Sequence, residues 1–210
     1  MARSTLKKIG RSNDKSQHLR VTGKAAKKIM IIFMDEIDIK SWSEEIVKAI
    51  AHAHMAHSVH AVTSEDTVRF HDRSTPYLVH PIWCAATLLQ EPNLPLELRK
   101  TGFAALLWHD TLEDTALPLP QNTSKEVAQL VHYMSFDSFE EERTKLWECS
   151  SEVRLLKLYD KVSNLLDGNW MKAAKWNIYV DHTLQLATDV EQNFGVLNIV
   201  KIARAIAEHK

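Results

Sequence analysis

Three short stretches of the 210-residue chain carry acids and imidazoles where packed helices would carry apolar residues. In "LLWHDTLEDT" (106–115) an apolar lead-in runs into His109, Asp110, Glu113 and Asp114. In "RLLKLYDKVSNLL" (154–166) Lys157, Asp160 and Asn164 recur at i, i+3 and i+7 inside an apolar run. In "PYLVHP" (76–81) His80 stands at a helix start between two prolines. A buried charge is costly unless it is paired or bound to a metal, so each stretch requires partners. His80, the His109–Asp110 pair and Asp160 together form a mixed imidazole and carboxylate set, which suits Mn²⁺, Fe²⁺ or Zn²⁺ better than Ca²⁺ or Mg²⁺. Four protein ligands leave room for water and a substrate oxygen on an ion that accepts five or six. Helix capping and surface ion pairing could explain any one stretch alone; three stretches with agreeing spacing and flanks argue for chemistry.

The elements that must position these groups are helical. Read as one helix over 96–115, with about 100° per residue, His109, Glu113, Asp110 and Asp114 fall within an arc of roughly 140°. That face offers two metal ligands and two acid/base groups. Upstream, "SEEIVKAIAHAHMAHSVHAV" predicts a helix capped by Ser43, with Ile46, Val47, Ile50, Ala53 and Met55 turned inward. A polar loop over 63–76 separates it from a helix beginning after Pro76 and ending at "EPNLP". An amphipathic helix over 124–134 follows the breaker "ALPLPQNT". Residues 138–167 form one long helix or two abutting ones, stopped at Gly168, and two further helices complete the chain. No period-2 strand pattern appears, and no internal repeat. The fold class is therefore all-α, one helical domain over residues 40–210.

Composition narrows the function. The five glycines never cluster, which excludes the glycine-rich loops that cradle phosphates on backbone amides; phosphate handling would fall to side chains or a metal. Cys84 and Cys149 form neither a CxxC motif nor a disulfide framework, so a reduced, cytoplasmic setting is expected. The longest apolar run, "IMIIFM" (29–34), is far below the roughly 20 residues that span a bilayer, so no membrane partner is expected. Charge is asymmetric: residues 1–34 hold nine Lys/Arg and one acid, leaving 17 against 26, a net of −9, in 35–210. Residues 1–39 read as a basic tail. A nucleic-acid arm, an organelle-type leader, or translated sequence upstream of a start at Met34 are the other readings of this stretch.

Taken in order, "TPYLVHP", "AALLWHDTLEDT", "KEVAQLV" and "LLKLYDKVSNL" resemble the motifs of HD-domain hydrolases of the RelA/SpoT type, and among them the stand-alone small alarmone hydrolases and metazoan SpoT homologues. The resemblance covers roughly residues 49–166. It implies a single HD-domain helical bundle that uses Mn²⁺ to remove the 3′-pyrophosphate of ppGpp and pppGpp, with Fe²⁺ or Zn²⁺ as substitutes. It implies His80, His109, Asp110 and Asp160 as metal ligands, Glu113 and Asp114 as the acidic pair that positions or deprotonates the attacking water, and Asn164 as a substrate contact. Lys157 and Lys161 lie close enough in sequence to meet phosphate. The expected partner is a small nucleotide rather than a nucleic acid.

The chain departs from that pattern around the base. "VRFHDRSTPY" offers Arg69, His71 and Arg73 where the family has a short Arg-rich stretch, and Leu166 stands where the family has Arg two residues after the Asn. Arg69 and Arg73 become the candidates for holding the base. Another nucleotide substrate, or a non-catalytic nucleotide-sensing or nucleic-acid-docking module, are the alternatives. His57 and His60 share a helix face without a carboxylate at helical spacing, so no second metal site is expected there. The six tryptophans read as core and helix-packing residues.

Overall fold

A computed structural model describes residues 39–208; the basic stretch over 1–34, with each reading of it, lies outside them. Helix α1 spans Ile39–Val59, α2 Val79–Leu89, α3 Leu96–Trp108, α4 Thr111–Asp114, α5 Lys125–Met134, α6 Phe139–Lys145, α7 Ser151–Leu166, α8 Ala173–Phe194 and α9 Asn198–Glu208. The described residues hold isolated bridges but no strand, as an all-α reading requires.

Helix α7 is the axis of the fold. From Val153 to Leu165 all but two of its residues are buried, because α2, α5, α8 and α9 pack around it. Its apolar residues Leu155, Leu156, Leu158, Tyr159 and Val162 are fully sealed from solvent. Polar caps set the helix starts: Ser124, Ser138 and Ser150 each accept the N–H three residues on, satisfying donors that the first turn leaves free. The 138–167 stretch is accordingly two helices, α6 and α7, divided at Ser150. Gly195, at φ 78°, stops α8 in a conformation that suits a residue without Cβ. Buried Glu91, just after α2, accepts the N–H groups of Asn198 and Ile199 at 3.0 and 2.9 Å, which places an anion at the positive end of α9. Tyr159 Oη donates to the same carboxylate at 3.3 Å.

Two expectations change. Helix α1 starts at Ile39, so Ser43 lies within it rather than at its N-cap. Its buried stripe runs through Ala49, Ala53 and Ala56, leaving Val47 and Met55 exposed; these two sit off the i, i+3, i+4, i+7 register that Ile46, Ala49, Ile50 and Ala53 share. Small residues on that stripe admit close packing, and Trp108 Nε1 donates to the Ala49 carbonyl at 3.1 Å. Of the tryptophans, Trp108 and Trp176 are buried while Trp147 and Trp170 lie at the surface.

Candidate active site

The 96–115 stretch is not one helix. It breaks after Trp108 and restarts at Thr111. In an unbroken helix the Leu106 carbonyl accepts from the N–H four residues on; here His109 Nδ1 donates to it at 2.8 Å. Asp110, at φ −90° and ψ −3°, then leads into α4. At this interruption His109 Nε2 lies 3.0 Å from Asp110 Oδ2. The segment after α1 fixes the far end of the turn: Val62 N donates to Asp114 O and Ala116 N to His60 O.

His80 and Asp160 arrive from α2 and α7. His80 Nε2 lies 3.1 Å from His109 Nε2, 3.4 Å from Asp110 Oδ2 and 3.4 Å from Asp160 Oδ1. Ligand atoms of His80, His109 and Asp160 all fall within 4.8 Å of one another, and all three residues are buried. Each imidazole is oriented through its other nitrogen, His109 by the Leu106 carbonyl and His80 by Ser163 Oγ at 2.8 Å. Such outer contacts are what orient metal-ligating histidines. With Nδ1–H donated to a carbonyl, neutral His109 presents a lone pair at Nε2. Two ligand bonds of about 2.1 Å at a right angle would set their nitrogens about 3 Å apart, close to the separation of the two Nε2 atoms. The donor set fits a divalent metal ion. Asp110 Oδ2 also accepts from Tyr77 Oη at 2.6 Å, and His57 stacks on the Tyr77 ring with centroids 4.6 Å apart.

The charges in this cluster lean on one another. Burial opposes ionisation of Asp110 and Asp160, but His109 and His80 beside the first, and Lys157 and Lys161 beside the second, hold both carboxyls well below the usual range. Burial likewise opposes protonation of His109, yet Asp110 and Asp160 push it up to about 10. Glu113 and Asp114 behave oppositely. Partial loss of hydration, then the charge of Asp110, pushes each up to about 7. Glu113 Oε1 accepts from Phe136 N at 3.0 Å, which ties α4 to the segment ahead of α6.

The remaining sequence candidates divide. Asn164 is bonded at both amide atoms: its nitrogen donates to Asp160 Oδ1 at 2.6 Å, and its oxygen accepts from Arg69 Nη2 at 2.8 Å. Arg69 is buried, also bonds Asp167 Oδ2 at 3.0 Å, and lies over the Tyr77 ring. Arg73 is placed elsewhere, paired with exposed Glu65 and lying over Phe70. Lys157 and Lys161 are buried against Asp160 and Glu142 rather than open to solvent, as buried ammonium groups must be. Sequence reasoning passed over Tyr77, Ser163, Asp167 and Glu142. Tyr77 lay within a quoted motif and Ser163 beside Asn164; for Glu142 no spacing pointed to it.

No protein-family model matches the chain. The guanosine-3′,5′-bis(diphosphate) 3′-pyrophosphohydrolase MESH1 of Danio rerio is 33% identical over 114 residues, covering 49% of this chain and 61% of that protein. The match thus spans about three-fifths of that relative's length. A solved structure of a metazoan orthologue of SpoT that hydrolyses ppGpp superposes with a TM-score of 0.58 at 19% identity, over 77% of this chain and 93% of that one. The first likeness bears out the resemblance drawn from the motifs, and the second bears out the fold. Among the described residues no helix is long and apolar enough to cross a membrane.

Proposed function

We propose that the chain is a metal-dependent phosphohydrolase that removes the 3′-pyrophosphate of guanosine alarmones, ppGpp and pppGpp. The observation that carries this reading is the convergence of two oriented imidazoles and two carboxylates, from the start of α2, the turn after α3 and the middle of α7, on one buried point beside an acidic pair. The likeness to a MESH1 protein supports the substrate class. On this reading residues 40–210 form the hydrolase domain behind a basic tail over 1–39, and the protein works in the cytoplasm.

His80, His109, Asp110 and Asp160 would hold the ion, with Mn²⁺ the expected species. A divalent ion in that set supplies Lewis-acid polarisation of a phosphoryl oxygen and acidifies water. The chain's own groups do the rest. Glu113, its Oε1 fixed by Phe136 N–H, takes or orients the proton of the attacking water through its other oxygen. A carboxyl poised near 7 is matched to proton transfer at neutral pH. Asp114, held beside Tyr77, supports it. Asn164 and Arg69 form the polar wall for the nucleoside, and Lys157 and Lys161 lend positive charge behind Asp160. That local charge matters in a domain whose net of −9 over 35–210 repels an anionic substrate.

Replacement of the family's Arg by exposed Leu166 favours keeping a second reading, in which the same chemistry serves another nucleotide. A hydrolysis panel of ppGpp, GTP, dNTPs and NADPH with Mn²⁺ separates the two. Release of pyrophosphate from ppGpp well above all others supports the proposal, and turnover confined to the others replaces it with the second reading. No turnover of any leaves only a binding module.

A further inference from the structure

Behind the imidazoles the charged groups continue into the core. Lys157 and Lys161, one turn apart on α7, share the same two acceptors. Their ammonium groups lie 2.9 and 3.4 Å from Asp160 Oδ2, and 3.0 and 2.7 Å from Glu142 Oε2. Two cations and two carboxylate oxygens thus alternate around a closed ring, and all four residues are buried. Around the ring the neighbours are aromatic. Lys157 lies over Phe136, Lys161 over Phe139 and Tyr179, and His182 Nε2 stands 3.5 Å from Glu142 Oε1. Glu142 enters from α6, a different element from any that carries a candidate ligand.

We propose that Glu142 is a positioning residue for divalent-cation binding: by neutralising Lys157 and Lys161 it leaves Asp160 Oδ1 for the ion and keeps the buried field attractive to a dication. The inference rests on the metal-centre reading above. Asp160 divides its work between its oxygens. Oδ2 faces the two ammonium groups, while Oδ1 faces the imidazoles and is oriented by Asn164. With His109 neutral, as metal ligation requires, the anions Asp110, Asp160 and Glu142 and the cations Lys157 and Lys161 leave a net of −1. Removing Glu142 brings that sum to zero and leaves two ammonium groups competing for one carboxylate. Charges interact strongly in such a poorly screened interior, and losing an outer partner of a metal ligand typically costs about 10- to 100-fold in metal affinity or activity.

The test reads the Mn²⁺ dissociation constant of the whole chain by equilibrium dialysis, with circular dichroism confirming the fold of each variant. Glu142→Gln should bind Mn²⁺ about 10- to 100-fold more weakly. Lys161→Met should bind it more tightly than the parent, and the double variant should return close to parent affinity. A residue needed only for packing cannot produce opposite signs that cancel. If Glu142→Gln alone does not fold, Lys161→Met against the double variant reads the same carboxylate. Equal affinities throughout, or weakening in all three variants, overturns the inference while the metal centre stands. A parent chain that binds no Mn²⁺ overturns both.

Discussion

Arg69 donates from Nη2 to Asn164 Oδ1 across 2.8 Å, joining residues 95 positions apart in the chain. The bond ties the loop ahead of α2 to the helix that carries Asp160, and it separates two arginines that sequence alone treats alike. Arg69→Ala strips a donor from Asn164 and an ion pair from Asp167. Leaving a buried polar partner unsatisfied costs about 1–3 kcal/mol; these two are only partly buried, so the cost should sit at the low end and Tm should fall by a few degrees. KM for ppGpp should also rise more than kcat falls, as when uniform binding is lost. Arg73→Ala, at an exposed pair, should change stability by no more than about 0.5 kcal/mol. A KM effect from Arg73→Ala equal to that from Arg69→Ala would place both guanidinium groups on the substrate.

Metal retention and proton transfer should separate by substitution. The purified chain should hold about one transition metal ion, lost in His109→Ala. Asp110→Asn removes an anionic donor and should lower both occupancy and rate. Glu113→Gln keeps size and one hydrogen-bonding oxygen, so metal content should stay near normal while kcat falls by about 10²- to 10⁴-fold. Metal analysis and steady-state kinetics on the three variants decide. Metal loss in Glu113→Gln would make that carboxylate a ligand, and an unchanged kcat would move the proton to Asp114.

Removal of residues 1–33 should leave hydrolysis intact, because every residue of the proposed site lies at position 69 or beyond and the composition changes near residue 35. Loss of turnover in a folded truncated chain would place part of the basic stretch at the site.

Gly168→Ala should destabilise without touching the chemistry. A Cβ there would come within 2.4 Å of Trp176 Cζ3, and an indole ring cannot bend away as a leucine tip can. Overpacking of this kind costs about 1–3 kcal/mol, or a drop of roughly 2–12 °C at this chain length. An unchanged Tm would mean that the turn after α7 shifts freely.

Helix identities, and polar groups that meet at one buried point, were legible from periodicity and from polar residues in apolar runs, as His109, Asp110 and Asp160 illustrate. The break after Trp108 was not. There the His109 imidazole donates to the Leu106 carbonyl, a contact that no apolar spacing records. The inward face of α1 was misjudged at Val47 and Met55 because alanines, weak hydropathy signals, carry the packing there. Glu142 sits among three consecutive acids on a short helix, "EEE" at 140–142, where composition suggests a solvated face. Only the return of α6 against α7 distinguishes it from its neighbours.

The grip of Glu91 on the first amides of α9 reaches across 107 and 108 positions of sequence, and this dictates an order of events during synthesis. A ribosome-tethered chain grown only to Phe194 already possesses every group of the proposed centre, yet its Glu91 has nothing to hold but Tyr159, and the flanks of α7 and α8 that α9 covers remain wet. Chains emerge at about 5–20 residues per second, so α9 follows the helices that carry the candidate site, and the nascent molecule passes through an interval in which those groups exist but the faces α9 covers are open. Until α9 docks, the Glu91 carboxylate lacks the two amides it accepts from in the folded chain.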